Sequence, residues 1–305
     1  MRRVVLIAAL AACRNDAPRE PSAGTMPLPP PVPPVVIDAP PAWRSCLLDG
    51  TSPCVSTAPV KVTSELLSWS DWIGEREHVT ECRWVAEVPN TLLCGSTDLD
   101  TMNPPLLRPA IYIENRPGTV VSRADPLYAE LLTKIGGFDL LKHHPTGTHP
   151  DLLAYYAAVD KACAGDKTRC EDPAEHAMRE LLEHAWAGRD AFVVITFAAR
   201  GSISDDEVVS HEMLHAQYFT DPGYREAVTT YWANLPKGTR DAVRAELGAI
   251  YSASDEELIQ NELQAYALMS GAETSRFSDL IVHREPLQKA LAEKGVTPIA
   301  VQRRH

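Results

Sequence analysis

The chain has 305 residues, 45% of them hydrophobic and 23% charged, enough for one large folded domain or two small ones. Its 41 Asp and Glu outnumber 29 Lys and Arg, a formal net charge of −12. An acidic surface argues against nucleic acid as a partner and against purely electrostatic docking on a membrane.

The N-terminus reads as a targeting segment. Met1-Arg2-Arg3 is a positive start, residues 4–12 are a short apolar run, and Leu10-Ala11-Ala12-Cys13 puts small residues directly before a cysteine. Nine apolar residues are too few to span a bilayer as a helix. The stretch resembles the bacterial lipobox. That resemblance implies a signal peptide over residues 1–12 and a mature chain that begins at a lipidated Cys13, its acyl chains together giving a stable anchor. An ordinary secretory signal cleaved elsewhere is the alternative. Loss of Arg2 and Arg3 would take the net charge to about −14. Residues 13–42 hold ten of the chain's 25 prolines and cannot pack a core. Such sequence favours extended polyproline II at about 3.1 Å per residue, so a tether that holds the folded part off the membrane is expected. The location implied is the cell envelope, extracytoplasmic, on the periplasmic or outer face.

Cysteine usage agrees with export. Setting Cys13 aside leaves six, and their grouping suggests Cys46 with Cys54, Cys82 with Cys94 and Cys163 with Cys170, among fifteen connectivities that six cysteines allow. None shows the CxxC spacing of a structural zinc site. Residues 43–124 mix turns with short strand-like runs at 78–88, 110–113 and 119–122, which predicts a disulfide-stapled, β-rich subdomain. From residue 125 to 305 helical patterns dominate. In the loop KHHPTGTHP, His143, His144 and His149 read as a solvated tract, with metal binding the less favoured reading. His176 and His184 share a predicted helix over 174–187 and read as half-buried structural residues.

The segment with the most chemistry follows. Residues 190–199 (DAFVVITFAA) form a buried-strand pattern bounded by Gly188 and Gly201. Ser204 and Glu207 stand as a capping box, and a helix is predicted over 205–219, closed by Asp221-Pro222-Gly223. That helix carries Ser210-His211-Glu212-Met213-Leu214-His215. Residues four apart share a helical face, so both imidazoles can reach one zinc ion, and Glu212 stands beside them as a general base. Val208, Val209, Met213 and Leu214 keep competing charges away.

Strand, loop and a helix bearing VVSHEMLHAQ resemble the core of the zincin metallopeptidases, over roughly residues 192–266. Gln217 departs from the pattern, which usually has a hydrophobic residue there. The resemblance implies one Zn²⁺ per chain and a third protein ligand. Asn261-Glu262-Leu263-Gln264-Ala265-Tyr266 resembles the gluzincin arrangement and points to Glu262, on a helix over 255–270 that opens with a capping box at Ser254 and Glu257. Asp221 is the alternative, in register for a metzincin, but Tyr218 stands where that pattern needs a helix-breaking glycine. Two further helices, over 224–235 and 239–251, are expected between the ligand helices. Tyr224, Arg225, Tyr231, Tyr251, Tyr266 and His283 are open candidates for an oxyanion donor, with Tyr266, Tyr231 and His283 also candidates to support the ligands.

The expected architecture is α+β: a zincin-like core with a mainly helical C-terminal half and a small sheet, after a β-rich region. The expected activity is zinc-dependent peptide-bond hydrolysis outside the cytoplasm, on a peptide or protein substrate. A non-catalytic binding lipoprotein on the same scaffold, or a zinc hydrolase of a non-peptide amide, are the alternatives.

Overall fold

Strand β1 (Cys54–Val55), helix α1 (Leu66–Gly74) and strands β2 (Thr80–Trp84) and β3 (Thr91–Ser96) begin the computed structural model. It describes residues 53–303 except 57, 134, 146, 148, 202–203, 270 and 272–275. Cys13, the signal peptide, the Pro-rich tether and Cys46 therefore lie outside the described residues. β2 and β3 form an antiparallel hairpin, with Asn90 at φ 57° in the left-handed region that Asn tolerates. Cys82 and Cys94 face each other across it and are joined by a disulfide. A second disulfide joins Cys163 and Cys170, and Cys54 is also disulfide-bonded.

The region expected to be β-rich contains a long helix. Helix α2 (Leu99–Ala110) runs on into a π-helical turn (Ile111–Asn115), and residues 119–122 form no strand. The strand expected at 110–113 is thus the end of this helix. Pro104, Pro105 and Pro109 disfavour a helix locally. Burial of Met102, Leu106, Leu107 and Ala110 outweighs that cost, and Asp98 caps the first turn by accepting from the Thr101 amide at 2.9 Å.

Helix α3 (Pro126–Leu131), strand β4 (Asp139–Leu141), helices α4 (Leu152–Gly165) and α5 (Pro173–Ala185) and strand β5 (Val193–Ala198) follow. β5 pairs in parallel with β3 and antiparallel with β4, so the mixed five-stranded sheet has the order β1-β2-β3-β5-β4. It draws strands from both the 43–124 and the 125–305 segments. Along β5, Val193, Ile195 and Phe197 face one core and Val194 and Ala198 the other, the two-residue period of a strand buried on both faces. One core holds α2, α4 and α5; the other holds α1 and the next helix, α6 (Asp205–Thr220). Arg108, fully buried, ties α2 to α5 through Glu175 at 3.0 Å.

The C-terminal half is helical, as expected: α7 (Pro222–Asn234), α8 (Lys237–Leu247), α9 (Glu256–Leu268) and α10 (Arg284–Glu293) form a third core with Leu214 and Tyr218 of α6. Helix α6 lies between sheet and helical layer and is buried over nearly its whole surface, a central rather than amphipathic helix. Neither expected capping box forms. The Ser204 hydroxyl turns to Asp206 instead of the helix amides, and α9 is capped by Asp255, which accepts from the Leu258 amide at 3.0 Å. The architecture is α+β with a small mixed sheet. Among the described residues, no helix is long and apolar enough to cross a membrane.

Candidate metal centre

Helix α6 presents His211 and His215 one turn apart, and α9 packs against it so that Glu262 meets both. The two Nε2 atoms lie 3.0 Å apart. Glu262 Oε2 is 3.5 Å from His211 Nε2, and Oε1 is 3.6 Å from His215 Nε2. Ligands bonded at about 2.1 Å to a tetrahedral zinc ion stand about 3.4 Å apart, so the donor spacing fits. All three side chains are buried, and Glu262 Oε2 has no hydrogen-bond partner among the described residues. Nδ1 of each histidine also lacks one, which departs from the usual arrangement in which a ligand imidazole is held by a carbonyl or carboxylate.

Glu212 points into the same cavity, where Asp139, at the start of the edge strand β4, comes up to it. Asp139, Glu212 and His215 each place a donor atom within 4.8 Å of the others. Burial raises the pKa of Glu212 well above the usual carboxylate value, and the charges of Asp139 and Glu262 add to it. Burial also raises Asp139 and Glu262. His211 is pushed down to about 4 by burial, so its imidazole is neutral at neutral pH, the form that binds a metal.

Behind these three side chains runs a tyrosine pair. The Tyr251 hydroxyl interacts with Glu262 and meets the Tyr266 hydroxyl at 2.9 Å, while the Tyr266 ring packs on His211 with centroids 4.5 Å apart. Tyr266 thus packs behind the His211, His215 and Glu262 cluster, and Tyr251 lines the cavity. The other oxyanion candidates stand elsewhere. Tyr231 and His283 bond to each other at 2.7 Å, and Tyr224 donates to Gln264 at 2.6 Å. Neither they nor Arg225 line the cavity. Asp221, the alternative ligand, is occupied as the N-cap of α7 and accepts from the Gly223 amide at 2.9 Å and the Tyr224 amide at 3.1 Å.

The cavity encloses about 300 Å³. Its polar lining includes six carboxyl groups and four imidazoles, and no Lys or Arg among the described residues. Ile113, Phe138, Leu141, Phe219, Ile250 and Leu258 supply apolar wall. Sequence reasoning missed Asp139 as a neighbour of the centre, held Tyr251 only as one of six open oxyanion candidates, and took the histidine loop for a solvated tract. His143 is exposed as expected, but His144 is buried and lines the cavity with His149. His176 and His184, expected to be half-buried, are exposed on α5. Comparison with known proteins finds no matching family model, no matching curated protein and no matching solved structure.

Proposed function

We propose that the protein is a zinc-dependent peptidase of the zincin type, gluzincin-like in its ligand set, acting outside the cytoplasm and held in the cell envelope by lipid on Cys13. The observation that carries this reading is the convergence of His211, His215 and Glu262 at 3.0–3.6 Å with Glu212 beside them on a cavity. His211, His215 and Glu262 would hold the ion. When bound, zinc supplies Lewis acidity, which acidifies water and polarises a carbonyl. Glu212 takes the proton of the attacking water and delivers it to the leaving amine. Tyr251, whose hydroxyl lies between Glu262 and Tyr266, would turn its single proton from Glu262 to the developing oxyanion once the ion takes that carboxylate. The apolar walls exclude water and favour an apolar substrate side chain. Strand β4 lies at the sheet edge beside the cavity, and an extended peptide can pair with its outer side, which favours a peptide over another amide.

Replacing Glu212 tests the reading directly. Glu212→Gln keeps the shape of the side chain and removes the base. Turnover of a peptide library should fall by about 10²–10⁴-fold with zinc content unchanged. Undiminished cleavage by the variant would remove Glu212 from the mechanism.

A further inference from the structure

We propose a second divalent-metal site in the same cavity, formed by His144, His149 and Glu257. One donor atom from each lies within 4.8 Å of the others, and all three side chains line the cavity. His144 is buried at 6% exposure, and its ring stands 4.6 Å from that of His149. The histidines come from the loop after β4, and Glu257 comes from the first turn of α9, so an ion here joins two segments far apart in sequence. Two imidazoles and a carboxylate are the donor set of a zinc-class dication. At bond lengths of about 2.1 Å the ligands of a tetrahedral ion stand about 3.4 Å apart, so small side-chain rotations close the set.

Two neighbours support the assignment. Asp255 Oδ2 holds His149 Nε2 at 2.5 Å, while Oδ1 of the same carboxylate is fixed as the N-cap of α9. A carboxylate that orients an imidazole in this way is the usual companion of a metal-bound histidine. The amide end of α9 would repel a cation, but Asp255 and Glu257 reverse the local sign.

This site is distinct from the first. Glu257 and Glu262 are five residues apart on α9, a rise of about 7.5 Å, and Phe219, one turn beyond His215, packs its ring against His144. Two ions that share one reacting oxygen stand about 3.5–4 Å apart. The second ion therefore ties His144 and His149 to α9 and shapes the cavity wall instead of sharing the reacting water.

The test is the zinc content of the full-length chain after equilibration with zinc and gel filtration, for the wild type, Glu262→Gln, His144→Asn and Glu257→Gln. Circular dichroism checks folding, and Glu257→Gln, isosteric and half-buried, guards against misfolding of the His144 variant. Two ions in the wild type and one in each variant is the expected result. A wild type with one ion, lost with Glu262→Gln and kept in the other two, overturns the second site and leaves the peptidase reading standing. One ion lost with His144→Asn and Glu257→Gln but kept with Glu262→Gln supports the second site and overturns the first.

Discussion

Gly137 marks a close approach of the backbone before β4 to α6. A Cβ there would stand 2.6 Å from Val208 Cγ1, 2.9 Å from the Thr196 carbonyl oxygen and 3.2 Å from Glu212 Oε1. The absence of a side chain is what allows the backbone before β4 to bring Asp139 to the site. Gly137→Ala should cost about 1–3 kcal/mol in denaturant unfolding, and wild-type stability would contradict this account of the contact. Gln217 is another residue explained by its neighbours. Its amide donates to the Thr297 carbonyl at 2.8 Å and accepts from the Ile299 amide at 2.9 Å, so the position where a hydrophobic residue was expected instead pins the C-terminal segment onto α6. Two imidazoles one turn apart are legible because helical spacing alone brings them together. The meeting of Glu262 with them was an expectation that rested on resemblance. Asp139 was not legible at all, and Tyr251 only as one of several open candidates, because both reach Glu212 and Glu262 through packing between segments that no sequence spacing encodes.

Helices and strands followed the sequence where hydrophobic period and turn residues agreed. Strand β5 and helices α6, α7 and α9 fall close to their expected bounds, since each has a clear apolar pattern and a clear stop. Helix α2 failed this reading because three prolines mask its pattern, and only the core it packs into makes the helix favourable. The capping boxes failed for a smaller reason. The Ser204 hydroxyl bonds the nearby Asp206 carboxylate, and at α9 the cap falls one residue later, on Asp255 instead of Ser254, choices decided by side-chain rotation. The β2–β3 hairpin carries a prediction of its own. Its disulfide spans a sequence separation of 12, and chain entropy assigns such a closed loop about 3 kcal/mol. The Cys82→Ser, Cys94→Ser double variant should lose about 2–4 kcal/mol of unfolding free energy, and an unchanged denaturation midpoint would show that the hairpin is held by its core contacts alone.

At the scale of the molecule, the sheet and the helical layer meet along α6, and α6 and α9 both carry side chains of the candidate metal centre. An ion bound there cross-links the two helices, so metal binding and folding are linked. At a free zinc concentration 100 times the dissociation constant the stabilisation is about 2.7 kcal/mol, or roughly 4–5 °C in Tm for a chain of this size. Chelation should lower Tm by that amount and zinc should restore it; a Tm indifferent to chelation would detach the ion from the fold. Acid should weaken the site as well. His211 is held neutral with a pKa of about 4, against about 6.5 in the unfolded chain. Between those values the unfolded chain binds the proton and the folded chain does not, so this histidine's contribution to stability is present above about pH 6.5 and is lost as pH falls towards 4.

The central claim is that Glu262, and not Asp221, completes the centre with His211 and His215. The most direct measurement is the zinc content of the full-length protein beside its Glu262→Gln and Asp221→Asn variants. A loss of one zinc per chain with Glu262→Gln, and none with Asp221→Asn, is the result expected. Zinc kept in Glu262→Gln and lost in Asp221→Asn would contradict the ligand set and the reading of function built on it.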